Sequence, residues 1–478
     1  MNLRQKTLSA ARWTTFSLIT RALLQFSQIA ILARILTPSD FGLVALVTSI
    51  MVFLQIFADA GISNAIIHHQ KISASQQSSL YWLNVGVSVI LASILWLSSS
   101  WLAAWYKQPS LSTLITLAAL AMLINSLGLQ LRLRAQKNLN FSQLAKVDVL
   151  AALAGFAAAI ICANLNFGVY SLLVGTVVTS IFSSTMSWIY LSEGWRPSAS
   201  FDLQEISQFL QFGGYMIANN LATSLNAQID VLLGSKMMSA QAIGQYSIAK
   251  NLSLNIAMVV NPIVTQIGLP VMAKAQDDLS LLKRIYLQTM LMTASINAPI
   301  YVFLTLFAPE ITILYLGDQW TTSIIFMQIF PAWALLRSIG NPVGSLLMAR
   351  GRADLSFKWN LVWLLITPPA VLLGSQYGVT GMSISMVLLG ITGYWPNWYF
   401  LVRPLSGITF AEYALHSIKP LLISIFAVCT GYLSMGLTDT PIYRLLGGFL
   451  LSSISYLIAS FYLNKKWFTT IMDFIKGK

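Results

Sequence analysis

The sequence predicts an all-α, polytopic membrane protein with about fourteen transmembrane helices, grouped as two lobes of six with two more appended. Three observations carry that prediction. Hydrophobic residues make up 56% of the 478 and charged residues only 9%, and the mean hydropathy is +0.71, a balance that no soluble chain of this length would tolerate. Apolar runs of about 20 residues, enough to cross a hydrocarbon core of ~30 Å, recur along the whole chain. When those runs are counted as crossings, most of the 28 Lys and Arg residues fall on one side, as the positive-inside rule requires.

The crossings are expected at 13–35, 41–66, 80–105, 111–133, 147–164, 167–191, 212–235, 242–270, 285–308, 322–349, 359–376, 379–402, 418–437 and 441–463. The first is polar along one side. Thr14, Ser17, Arg21, Gln25 and Gln28 recur at steps of three and four, so a 3.6-residue helix places them in one stripe that lipid would reject. In the second, Thr48, Gln55 and Asp59 align. The third to sixth rest on apolarity alone. The longest connector, 191–211, contains Pro197 and an acidic segment and separates the expected lobes, residues 1–195 and 196–404, with 405–478 holding the appended helices and a tail.

The seventh and eighth crossings repeat the first two. Arg34 and Lys236 are 202 residues apart, as are Gly42 and Gly244. Ser17, Arg21 and Gln28 fall by the same offset on Asn219, Thr223 and Asp230, again a polar stripe. An even number of crossings between the copies makes this a parallel repeat. In the eighth, Ser247, Lys250 or Asn251, Met258 and Asn261 line one side. In the tenth, Arg337 aligns with Asn341, and Pro331, Gly340, Pro342 and Gly344 are placed to break or kink the helix. Pro262 in the eighth and Pro368-Pro369 in the eleventh predict further kinks.

With the N-terminus cytoplasmic, only Arg34, Lys107, Lys236 and Arg444 among the loop cations fall outside, so both termini are expected in the cytoplasm. The formal net charge of +13 is then a topology signal, and nucleic acid is excluded as a partner. Residues 1–12 are polar and basic with no small-residue cleavage site after a short apolar core, so no cleaved signal peptide is expected. Cys162 and Cys429 lie in apolar runs and make neither a disulfide framework nor a metal site.

Enzymatic groups are missing from the pattern. His68 and His69 are adjacent and would point about 100° apart on a helix, and His416 stands alone. The outer acids Asp40, Glu310, Asp318 and Asp439 are dispersed, without the large outer loop that a membrane glycan polymerase or ligase would use.

Five ionisable residues remain inside the bilayer: Arg21, Asp59, Asp230, Lys250 and Arg337. Each costs roughly 2.5–3.5 kcal/mol to insert unless water or a partner receives it. Shared faces point to a wet cavity, and three cations against two acids suit it to a phosphate or pyrophosphate. For Asp59 and Asp230, a structural ion pair competes with proton or sodium coupling. Arg21 could instead snorkel to the cytoplasmic surface. Arg34 and Lys236 are placed to cap helix C-terminal carbonyls.

Residues 33–43, Ala-Arg-Ile-Leu-Thr-Pro-Ser-Asp-Phe-Gly-Leu, followed by Asp230-Val231-Leu232-Leu233-Gly234 and Ile243-Gly244-Gln245-Tyr246-Ser247, resemble the bacterial polysaccharide exporters and flippases of the multidrug, oligosaccharidyl-lipid and polysaccharide exporter superfamily. Leu131-Arg132-Leu133-Arg134 and Gly268-Leu269-Pro270-Val271 resemble two further motifs, while Gln245 stands where the family commonly has an aromatic. The resemblance implies two six-helix lobes around a central cavity in the bacterial inner membrane. It also implies alternating access, and an undecaprenyl-pyrophosphate-linked oligosaccharide as cargo for O-antigen, capsule or exopolysaccharide synthesis. Glycan polymerase and chain-length machinery are the implied partners beside membrane lipid, and no cofactor is implied. Arg21, Lys250 and Arg337 are the positions that would engage the pyrophosphate, with Gln25, Gln28, Asn219 and Thr223 lining the cavity. A cation-coupled multidrug antiporter of the same architecture is the alternative, with Asp59 or Asp230 as its ion site.

Overall fold

The structure is a computed structural model. It describes residues 3–59, 66, 72–199, 201–433, 436 and 439–475, with side chains described from residue 12 onward except at 203, 205, 207–216, 219, 263, 266, 267, 471 and 473–475. His68 and His69 lie outside the described residues.

Among the described residues, fourteen long helical elements follow one another: α1 Leu3–Ile35, α2 Pro38–Asp59, α3 Ala74–Trp105, α4 Leu111–Lys137, α5 Phe141–Asn164, α6 Tyr170–Tyr190, α7 Leu203–Met237, α8 Ala240–Lys274, α9 Leu279–Leu306, α10 in two segments Ile324–Gly340 and Pro342–Ala349, α11 Ala353–Ser375, α12 Gly378–Asn397, α13 Phe410–Tyr432 and α14 Pro441–Leu463. A short amphipathic helix, α15 Lys465–Ile475, follows. Among the described residues, twelve helices are long and apolar enough to cross a membrane. Helices α7 and α8, each of 35 residues, occupy the stretches expected for the seventh and eighth crossings.

Several helices extend beyond the expected crossings at the polar end. The fifth helix begins at Phe141 rather than 147, and the ninth at Leu279 rather than 285, because a helix propagates into polar residues once its apolar part has nucleated it. The tenth crossing is interrupted at Asn341, where Pro342 opens a second segment. Pro262 lies inside α8 and Pro368-Pro369 inside α11, each a single helix, as a kink rather than a break requires.

The chain forms two compact units, residues Met1–Gly244 and Gln245–Lys478. In the first, α5 packs on α6, α3 on α4, α4 on α6 and α1 on α5. The α5–α6 contact is made by small residues at every fourth position. Ala151, Gly155, Ala159 and Ala163 are buried on one helix, and Ser171, Gly175, Ser183 and Ser187 on the other. A Cβ on Gly155 would meet the Gly175 carbonyl at 2.7 Å, and one on Gly175 the Gly155 carbonyl at 2.9 Å. Such stripes let backbones approach where lipid offers no hydrophobic drive to associate. In the second unit, α13 packs on α14, α9 on α13 and α10, and α11 on α12, around a core that includes Tyr286, Met290, Ala294, Ala334 and Tyr413.

The run at 37–42 is a helix start. Thr37 precedes α2, and the Asp40 carboxylate accepts from the Thr37 backbone N–H at 2.9 Å and from its hydroxyl at 2.8 Å, a capping box with Pro38 in the first turn. The 202-residue offset places Ser239 at the equivalent position before α8, where its hydroxyl accepts from the Ala242 N–H at 3.3 Å. The helix ends repeat as well, Ile35 with Met237 and Pro38 with Ala240. These two helix starts also touch. A Cβ on Gly42 would overlap the Ala240 carbonyl oxygen, and one on Gly244 the Pro38 carbonyl oxygen, so the contact maps onto itself when the two copies are exchanged.

Candidate substrate-binding site

Cationic groups collect at two places, one in each unit. In the second unit, α8 carries Tyr246 and Lys250 one turn apart, while α10 carries Phe330, Trp333 and Arg337 at steps of three and four, hence on one face. Tyr246 is fully buried and meets Phe330 edge-on with ring centroids 4.8 Å apart, and Phe330 meets Trp333 at 6.0 Å. Onto the end of this aromatic ladder come two cations. Lys250 Nζ lies 5.9 Å from the Trp333 ring centroid and the Arg337 guanidinium 5.5 Å from it. Lys250 is only 3% exposed, whereas Arg337 and Asn341 are exposed along one side of α10.

A buried polar frame holds those helices in register. Asn261 Oδ1 on α8 accepts from Asn297 Nδ2 on α9 and from Ser338 Oγ on α10, both at 3.0 Å. The Tyr301 hydroxyl on α9 donates to the Ser253 carbonyl at 3.0 Å. Each bond is worth more in this low-dielectric setting than in water, and each fixes the helix beside a cation. The stripe expected on α8 straddles an edge: Ser247, Lys250 and Asn261 are buried, while Asn251 and Met258 are exposed.

In the first unit, Arg21 on α1 lies 3.5 Å from the Asp148 carboxylate on α5. Arg132 on α4 meets the same carboxylate at 2.5 Å and donates to Ser183 Oγ on α6 at 2.9 Å. Two guanidiniums share one carboxylate, leaving one positive charge in excess. The Asp148 and Arg132 side chains are 12% and 21% exposed, while that of Arg21 is 53% exposed. Asp148 and Arg132 therefore tie α4 to α5, and Arg21 presents the accessible cation.

The other expected site residues are spread along α1, α2 and α7. Gln25 is exposed and Gln28 half-buried on α1; Thr223 is exposed and Asp230 fully buried on α7; Asp59, half-buried, ends α2. The side chain of Asn219 lies outside the described residues. Lys236 does cap a helix end, but another helix's: its Nζ donates to the Trp105 carbonyl at the end of α3 at 2.5 Å and lies 4.1 Å from the Trp105 ring centroid.

Sequence reading brought out Lys250 and Arg337 but missed Trp333, although an aromatic stands four residues before each cation, Tyr246 and Trp333, and that spacing stacks side chains on one helix face. It also missed Asp148, an acid at the edge of the fifth apolar run. His416, read as isolated, bonds the Glu412 carbonyl of its own helix at 2.7 Å. Among the described residues, no group of three or more His, Cys, Asp or Glu is placed to hold a metal.

The polysaccharide biosynthesis protein family matches residues 31–325. The chain is 30% identical to the lipopolysaccharide biosynthesis protein WzxC of Escherichia coli, over 90% of this chain and 88% of WzxC. It is 28% identical to the teichuronic acid biosynthesis protein TuaB of Bacillus subtilis, over 88% of each. Among solved structures, the lipid II flippase MurJ in an inward closed conformation matches with a TM-score of 0.75 at 14% identity, over 95% of this chain and 98% of that one. At that identity the likeness shows a shared fold.

Proposed function

This chain belongs to the polysaccharide biosynthesis protein family, a family of membrane transporters, and we propose that it flips an undecaprenyl-pyrophosphate-linked oligosaccharide repeat unit across the bacterial inner membrane by alternating access. In this reading the chain crosses fourteen times with both termini cytoplasmic. Residues 1–195 and 196–404 are the two moving lobes. The product feeds O-antigen, capsule or exopolysaccharide synthesis, with a glycan polymerase and chain-length machinery downstream.

The observation that carries the reading is the pair of cations on Trp333. Two cations set side by side at one ring present a geometry that the two acidic groups of a pyrophosphate can bridge. Arg21 adds a third, accessible cation from the other unit. A ligand moves a transporter only through different affinities for its states, so the pyrophosphate drives the cycle if it draws the three cations together in one state and not the other. Asp230, fully buried, is the group we assign to proton or sodium coupling, with Asp59 as the alternative.

Deleting the gene should strand lipid-linked repeat units on the cytoplasmic leaflet and remove a surface glycan. Arg21→Ala, Lys250→Ala and Arg337→Ala should each fail to restore the glycan while reaching the membrane in normal amount. Normal glycan in all three variants overturns the role of the cations. Repeat units that reach the outer leaflet without the gene but stay unpolymerised overturn the flippase reading and put the protein after translocation, and no change at all favours the cation-coupled drug antiporter.

A further inference from the structure

Along its exposed face, α12 ends in a cation. Ile384, Leu388, Ile391, Trp395, Tyr399 and Arg403 follow one another at steps of three and four and are all exposed, so they form one stripe along the span. The first three are aliphatic. The next two are aromatic, Trp395 stacking on Tyr399 with ring centroids 5.0 Å and planes 12° apart. Arg403 closes the series, its guanidinium 5.4 Å from the Tyr399 ring centroid and 5.7 Å from that of Trp398.

The backbone keeps that cation in line. Residues Gly378–Ser406 form one span of membrane length, and within it Trp398–Val402 is a π-helical turn. A π turn holds more residues than an α turn, so each residue rotates by less, and such turns recur at functional sites. The drift that a 3.6-residue helix accumulates from Ile384 onward is thereby taken back, and Arg403 stays under Tyr399. Trp398 fixes the turn from the inner side: it is buried, its indole N–H donates to the Ile408 carbonyl at 2.9 Å, and its ring meets Phe410 of α13 edge-on at 5.2 Å. Among the described residues, the Arg403 guanidinium has no hydrogen-bond or ion-pair partner. The nearest acid along the chain, Glu412, is engaged by Lys283 at 2.7 Å and by the Thr409 backbone N–H at 2.9 Å. A similar ladder on α3, Trp101 on Trp105, ends in Lys236, but that ammonium bonds the Trp105 carbonyl.

We propose that this stripe binds an anionic phospholipid of the bilayer, with an acyl chain along Ile384, Leu388 and Ile391 and the headgroup phosphate on Arg403. Exposed Trp and Tyr rings belong at headgroup depth, and a guanidinium offers five donors in a fork that fits phosphate oxygens. Tyr399 and Trp398 steady that guanidinium without neutralising it. The preference for an anionic headgroup follows from the acids. The ammonium of phosphatidylethanolamine would lie beside Arg403 with Glu412 already engaged, whereas phosphatidylglycerol carries no ammonium. The site requires only that α12 spans the membrane and is independent of what the protein transports.

Native mass spectrometry of the full-length protein, delipidated in detergent and titrated with phosphatidylglycerol or phosphatidylethanolamine of matched chains, tests this directly. The wild type should retain phosphatidylglycerol roughly fivefold more tightly. Arg403→Gln should erase that preference, Arg403→Lys should keep part of it, and Tyr399→Leu should weaken it with the charge still in place. These side chains are exposed, so the variants should melt with the wild type. Lys358→Gln, which removes another exposed cation of the same unit, should leave the preference intact. Equal retention of the two lipids by the wild type, or equal losses in Arg403→Gln and Lys358→Gln, overturns the site. Displacement of the lipid by inorganic phosphate would reveal a bare anion site, and displacement by undecaprenyl phosphate at lower concentration would give the stripe to a carrier lipid; either result overturns the proposal.

Discussion

The two units hold their cations by opposite means. In the first, Arg21 and Arg132 converge on the carboxylate of Asp148; in the second, Lys250 and Arg337 converge on the indole of Trp333. A carboxylate cancels charge and stiffens, whereas an aromatic face steadies a cation without cancelling it, at ~0.5–2 kcal/mol according to desolvation. The first arrangement therefore fits a structural brace with one accessible arm, Arg21. The second fits the proposed substrate site, where the ring sets two cations side by side.

The largest expected effect breaks the brace. Asp148→Asn leaves Arg132 facing Arg21 without its anion, and losing a charge-assisted bond of this kind costs about 2 kcal/mol. The variant should melt several degrees lower in detergent. Arg21→Ala, which removes a mostly exposed partner, should melt near the wild type while losing transport. Equal melting of the wild type and Asp148→Asn would show that the carboxylate is not a brace and that the contrast between the units is wrong.

A smaller effect sharpens the other side. Trp333→Leu keeps an apolar side chain but removes the ring that positions both cations, so substrate affinity should fall on the order of tenfold. Trp333→Phe should recover most of it. Binding measured with a soluble pyrophosphate analogue separates this from folding, because the melting temperature of both variants should move little compared with Asp148→Asn. Unaltered affinity in Trp333→Leu would remove the indole from the site.

Much of the fold was legible because each crossing carries its own evidence. Apolar length and charge placement are local quantities, and the helix starts at Thr37 and Ser239 are written in four or five residues each. The site was legible only in part. Arg21, Lys250 and Arg337 stand out because ionisable groups in apolar runs are costly, but their partners do not. Trp333 is one of many aromatics in membrane helices, and Asp148 looks like a boundary residue until the helix is seen to begin at Phe141. The pairing of Arg21 with Asp148 joins positions more than a hundred residues apart, and no local pattern encodes it. Proline alone does not tell a kink from a break, because α8 continues through Pro262 while Pro342 opens a new segment.

The smallest effect distinguishes a carboxylate between arginines from a carboxylate at a helix start. Asp278 lies before α9 and accepts from the Leu281 and Ser280 backbone N–H groups, each at 3.0 Å, and from the Ser280 hydroxyl at 2.7 Å. The Leu281 N–H bond leads in holding its carboxyl below the usual range, with the Ser280 hydroxyl next and Arg284 nearby adding to it. A depressed folded value means that the stabilisation is fully present above the unfolded value, about 3.9, and is lost as pH falls through the folded one. Asp278→Asn keeps a capping side chain but not the charge. It should therefore melt slightly below the wild type at neutral pH, and the gap should close once acid has protonated the aspartate. A gap that stays constant from neutral to acid pH would mean that the cap acts through shape alone. Asp148 would then be the carboxylate of this pair whose charge matters to the fold.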